Sequence, residues 1–144
     1  MSLSAFLQRS RASEPFRTAV ERFLQDGRPN ECVRFDHRSP SVKVERTITK
    51  VLEAYPELAI EQVRIEGSSG CEYYRGVATI VSEGEERQVR FHWDCKWRAE
   101  QQGWRDYFGF ADQGRAAREF GYDCFRGWEE VGVVAGTRAE PMAV

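Results

Sequence analysis

From Val89 to Trp97 every second residue is apolar: Val89, Phe91, Trp93, Cys95 and Trp97. The residues between them and just after are Arg90, His92, Asp94, Lys96 and Arg98. Successive side chains of a strand point to opposite faces, so this period of two predicts a half-buried strand with an aromatic side and a charged side. The preceding run, Cys71 to Ser82, is rich in β-formers (Tyr73, Tyr74, Val77, Thr79, Ile80, Val81) and is separated from it by Glu83-Gly84-Glu85-Glu86, a short polar turn.

Pairing Glu83 with Glu86 predicts Ile80 opposite Val89, Ala78 opposite Phe91, Gly76 opposite Trp93 and Tyr74 opposite Cys95. The glycine makes room for the indole, and Arg75 falls opposite Asp94 on the other side. Gly67-Ser68-Ser69-Gly70 predicts an earlier turn that pairs Glu66 with Cys71, placing Val63 and Ile65 on the aromatic face and Gln62 and Arg64 on the other. The two turns imply the same apolar face, and a slip by one residue would destroy that agreement.

With 144 residues the chain suits one domain with its own core. We expect that domain over 1–131, followed by a flexible tail over 132–144 in which small and polar residues predominate. The net charge of −2 gives no global bias toward nucleic acid or anionic membranes. No apolar run approaches the ~20 residues of a membrane span, and the N-terminus lacks the charged-then-apolar order of a secretory leader. Together with four widely spaced cysteines (Cys32, Cys71, Cys95, Cys124), expected as free thiols, this points to the cytoplasm.

Ahead of the strands, a short helical piece is expected around Ser4 to Arg9. Ser13-Glu14-Pro15 opens a longer helix that Gly27 stops, with Phe16, Ala19, Val20, Phe23 and Leu24 at helical spacing. Glu31 to His37 suits a short strand. A further helix opens at Ser39-Pro40 or Ser41, carries Val44, Ile48, Val51, Leu52 and Tyr55, and ends at Pro56. Beyond the strands, Gln101 to Ala111 is expected as an aromatic-rich loop. Asp112 is the expected N-cap of a last helix, with Ala116, Ala117, Phe120, Cys124 and Trp128 on one side. The expected fold is α+β: three or four antiparallel strands in a meander, with helices mainly on one face.

The residues that carry chemistry converge poorly. His92 and Cys95, with Cys71 and Cys124 added, suggest a zinc set, but positions three apart on a strand face opposite ways and there is no Cys-x-x-Cys, so no metal is assigned. Cys71, predicted beside Arg98, has no base assigned to activate it. His92, Asp94 and Tyr73 share a face with Arg75 and Lys96 and form a usable acid–base group only if that face lines a pocket. No cofactor is implied.

The non-apolar face is the remaining candidate. It carries Arg64, Arg75, Arg90, Lys96 and Arg98 against Glu66 and Asp94, with Tyr73 and His92 among them. Single-stranded nucleic-acid binders combine such charge with aromatic platforms, and arginine and tyrosine are also enriched in protein interfaces.

The order helix–strand–strand–strand–helix from Ser41 to Glu130 resembles double-stranded-RNA-binding domains in topology. Asp112-Gln113-Gly114-Arg115-Ala116-Ala117-Arg118 departs from that family's lysine-rich motif, and its histidine-containing loop is absent. A helix followed by a long meander also resembles NTF2-like and cystatin-like folds, which implies a small-molecule or acid–base pocket around His92, Asp94 and Tyr73. The sequence does not fix a biochemical function. It favours a non-catalytic binding domain using the face of Arg64, Tyr73, Arg75, Arg90, His92, Lys96 and Arg98 toward an anionic ligand, nucleic acid or a protein partner. The alternatives are the NTF2-like pocket and a purely structural homodimer.

Overall fold

A computed structural model describes residues 2–112 and 126–133. Among these residues it is α+β: three α-helices and one six-stranded sheet in the order β1-β2-β3-β4-β5-β6. Helix α1 (Leu3–Arg9) and helix α2 (Glu14–Asp26) precede a short strand β1 (Val33–Phe35). Helix α3 (Ser41–Ala54) follows, and then β2 (Ile60–Ser69), β3 (Tyr73–Ser82), β4 (Glu85–Arg98), β5 (Gly103–Asp112) and β6 (Arg126–Val133). β1 lies parallel to β2; every other neighbouring pair is antiparallel. No helix among the described residues is long and apolar enough to cross a membrane.

The helices begin and end for local reasons. The Ser13 hydroxyl caps α2 by accepting from Phe16 N (3.3 Å), and Gly27, at φ +65°, closes it in the left-handed region that glycine enters freely. Arg17 ties α1 to α2. Its Nε donates to Ala12 O at 3.0 Å, and its two terminal nitrogens reach Ser10 O and Leu7 O at the end of α1. The α3 stripe is Val44, Thr47, Ile48, Val51 and Leu52, all buried.

One core joins the helices to one side of the sheet: Phe16, Val20 and Phe23 of α2, the α3 stripe, and Val63, Ile65, Tyr74, Ala78, Phe91, Trp93 and Phe108 of the strands. Trp93 Nε1 donates to Thr47 Oγ1 at 2.8 Å, and the Tyr74 hydroxyl donates to Ser39 Oγ at 2.8 Å. These two bonds hold the aromatic side of β3 and β4 against α3 and the segment before it, so the intervening residues look away from the helices.

The face assignment matches the alternation, but the registers differ. In the β3–β4 hairpin Ser82 pairs with Glu85, so the loop is only Glu83-Gly84. Both have positive φ, 53° and 79°, the conformation of a tight two-residue hairpin turn whose twist suits the flanking strands. The expected pairing therefore shifts by two: Ala78 meets Val89, Gly76 meets Phe91, Tyr74 meets Trp93, and Arg75 meets His92 instead of Asp94. Between β2 and β3 the shift is six, because Gly67-Ser68-Ser69 continues the strand instead of turning; Ile65 meets Ala78 and Gly67 meets Gly76. The glycines admit backbone and ring: a Cβ on Gly76 would stand 1.9 Å from Glu66 O, and one on Gly67 would stand 2.6 Å from the Tyr74 ring. Even-numbered shifts preserve the faces, which is why hydrophobic pattern alone does not discriminate among them.

The larger corrections lie downstream. Gln101 to Ala111 is not an aromatic loop: Gly103–Asp112 is β5, paired along its length with β4. Its alternation of Trp104, Phe108 and Phe110 toward the core is interrupted by Asp106, a buried carboxylate. The expected last helix is strand at both of its ends, since Asp112 closes β5 and Arg126–Val133 is β6; its middle, 113–125, lies outside the described residues. Residues 132 and 133, expected in a frayed tail, are in β6, and 134–144 lie outside the described residues. Among the described residues the expected helix–strand–strand–strand–helix order from Ser41 to Glu130 is replaced by α3 followed by five strands.

Candidate functional site

The face turned away from the helices carries all seven residues picked out in the sequence. Arg64 comes from β2, Tyr73 and Arg75 from β3, and Arg90, His92, Lys96 and Arg98 from β4. Arg34 of β1, which pairs with Arg64, joins them, as do Arg105 and Tyr107 of β5. Among the described residues this face holds seven cations against four carboxylates, Glu66, Glu86, Asp94 and Glu130. Arg105 and Tyr107 belong to a segment whose sequence suggests an aromatic loop and which folds as β5. The signal was present in the alternation from Trp104 to Phe110, broken only at Asp106.

At the centre of the face β3 and β4 build a compact group. The Arg75 guanidinium lies 4.8 Å from the Tyr73 ring centroid, and that ring is tilted against His92 at 6.3 Å. Lys96 reaches Asp94 at 3.7 Å. Desolvation holds the half-buried His92 below its ordinary pKa, with Asp94 opposing and Arg75 and Lys96 reinforcing. A second group lies further along. Arg98 donates from Nε to the Tyr107 hydroxyl at 2.6 Å and stacks at 4.9 Å from its ring, and Arg105 approaches Glu130 at 3.7 Å. Arg64 pairs with Glu86 at 2.9 Å. These ion pairs are at least partly open to water, where each contributes ~0–1 kcal/mol.

Neither His92 nor Asp94 lines the two clefts along α3 or the one beside β1. Tyr73 lies at the rim of one, on the side facing α3. Cys71 is exposed in the β2–β3 connection and not at a strand position facing Arg98. Cys95 points to the helix side and His92 away from it, as their spacing requires. No three His, Cys, Asp or Glu side chains among the described residues converge as a metal group; Cys124 lies outside them.

Compared with known protein families, curated proteins and solved structures, the chain matches none.

Proposed function

We propose that this chain is a non-catalytic binding domain that takes an extended anion, in the form of single-stranded nucleic acid, across the sheet face of β2 to β5. The observation that carries the reading is the Arg75–Tyr73–His92 group at the centre of a face with a surplus of three positive charges, on a chain whose net charge is −2. Guanidinium and imidazole beside a ring offer phosphate contacts and a stacking surface at the same place.

The test is binding of homopolymeric DNA and RNA oligonucleotides, duplex DNA and heparin at two salt concentrations. Three phosphate contacts by Arg75, Arg90 and Lys96 give a logarithmic salt slope of about −2, or roughly 20-fold weaker binding for a fourfold rise in salt. Arg75→Ala with Arg90→Ala flattens that slope by about two-thirds, and Tyr73→Ala weakens single strands at least about fivefold while sparing heparin. Binding that ignores salt, or that survives the double arginine substitution, removes the reading. If the face instead joins two copies of the chain, light scattering shows a dimer at micromolar concentration and oligonucleotides do not bind.

A further inference from the structure

The helix side of the sheet holds a second feature, which meets the sheet face only at Tyr73. A cleft of about 550 Å³ opens between the first turns of α3 and the end of the sheet where β2 and β3 connect. That volume is in the range of small-molecule sites, commonly ~300–1,000 Å³.

Its floor is unusual. The Asp106 side chain is only 4% exposed, and its Oδ2 is shared by two cations of α3, Lys43 Nζ at 3.3 Å and Arg46 Nη1. Both cations also lie against the buried Trp93, with Lys43 Nζ at 4.9 Å and Arg46 Cζ at 6.0 Å from a ring of its indole. Carboxylate and ring together hold the cations in place before any ligand arrives, so little ordering remains to be done on binding.

One cation is enough to neutralise a buried carboxylate. Here there are two, and the side chains are 23% and 40% exposed, so one positive charge is left over in a space only partly open to water. Desolvation, with the neighbouring Arg46 adding, holds the Lys43 ammonium below its ordinary pKa despite the attraction of Asp106. The Nη1 bond uses one edge of the Arg46 fork; a guanidinium presents five N–H groups and suits a second planar acceptor. Glu72, the other acid at the cleft, stands exposed at the rim.

The walls are apolar. Among the described residues the large hydrophobic side chains left exposed are Leu24, Val42 and Tyr73, and two of these three line this cleft, together with Pro40. Val42 is 58% exposed at the second position of α3. An exposed apolar wall beside a cationic floor fits a molecule with one charged end and a hydrophobic body.

We propose that this cleft binds a small organic carboxylate with an apolar body, the carboxylate received by Arg46 and Lys43 beside Asp106 and the body lying along Val42 and Pro40. The site shares only the Tyr73 wall with the sheet face, and its cations are separate, so either can fail without the other.

Calorimetric titration of the whole chain with acetate, benzoate, 2-naphthoate and 2-naphthamide tests it. Affinity rises from acetate to 2-naphthoate, and the amide binds at least about tenfold more weakly than the carboxylate, the size of one lost charge-assisted bond. Arg46→Gln loses at least about tenfold for 2-naphthoate. Asp106→Asn binds it more tightly, because both cations lose their internal competitor. Arg90→Ala, on the opposite face and away from Tyr73, leaves it unchanged. Should Asp106→Asn fail to fold, Arg46→Gln, at a half-exposed position and checked for native circular dichroism, decides alone. Equal affinity for acid and amide, an unaffected Arg46→Gln, loss on Arg90→Ala, or no carboxylate binding at millimolar concentration overturns the proposal.

Discussion

Thr47→Val tests the bond that decides which way β4 faces. Thr47 Oγ1 accepts from Trp93 Nε1 at 2.8 Å and donates to Lys43 O at 2.8 Å, and both side chains are fully buried. Valine has the same shape without the oxygen, so the indole N–H is left in the core with no acceptor. Stranding a buried donor costs about 1–3 kcal/mol, while the lost helix-internal bond of the hydroxyl matters less, since its removal takes donor and partner strength together. Unfolding entropy near 2.1 cal/mol/K per residue makes each kcal/mol worth about 3 °C for a chain of 144 residues, so Tm falls by about 3–10 °C. The same substitution in a Trp93→Phe background has no indole donor to strand and costs less than about 0.5 kcal/mol. The difference is the coupling energy of a double-mutant cycle, measured by urea unfolding of the four proteins. An equal cost in both backgrounds refutes the pairing, and with it the claim that Trp93 looks toward α3 and His92 away from it.

Gly76→Ala places a methyl 1.9 Å from Glu66 O and must spread β2 from β3, so it costs at least about 2 kcal/mol by chemical denaturation, whereas Gly84→Ala meets no atom within 4 Å and costs about 1 kcal/mol through its positive φ alone. Tyr74, raised to about 12 mainly by burial with Asp36 adding, is neutral in the fold; its contribution is intact below pH 10 and is lost as pH rises toward 12, so Tyr74→Phe makes alkaline unfolding less steep in that window. His92, lowered mainly by desolvation, favours the neutral imidazole. Stability therefore declines as pH falls below about 6.5, where the unfolded chain takes up the proton first, and His92→Asn removes that decline in a Tm-against-pH series. Oligonucleotide affinity runs the opposite way, strengthening at acid pH as the imidazolium adds to the face, and a pH-independent affinity contradicts the role given to His92.

The β4 alternation announced both the sheet and the identity of its two faces, because side-chain direction in a strand is a property of the chain itself. Helix limits were legible for the same local reason: Ser13 and Gly27 bound α2 by capping chemistry that needs no tertiary partner. β5 was not legible. Asp106 stands where the pattern calls for an apolar residue, and only Lys43 and Arg46, sixty or more positions away, make a carboxylate tolerable there. β6 was hidden for another reason: Trp128 stands at helical spacing from Cys124, and only its pairing with β5 makes Arg126–Val133 a strand.

By itself, the sequence determined which side chains share a face, since period two survives any even slip of register. Tertiary structure alone decided the register, through the left-handed Glu83-Gly84 turn and the close approach of Gly67 to Gly76, and it alone brought α3 over Asp106 to make a cleft. Backbone geometry along one chain is local information. Which strand pairs where, and which distant cation compensates a buried acid, depends on free energies that exist only once the pieces have met.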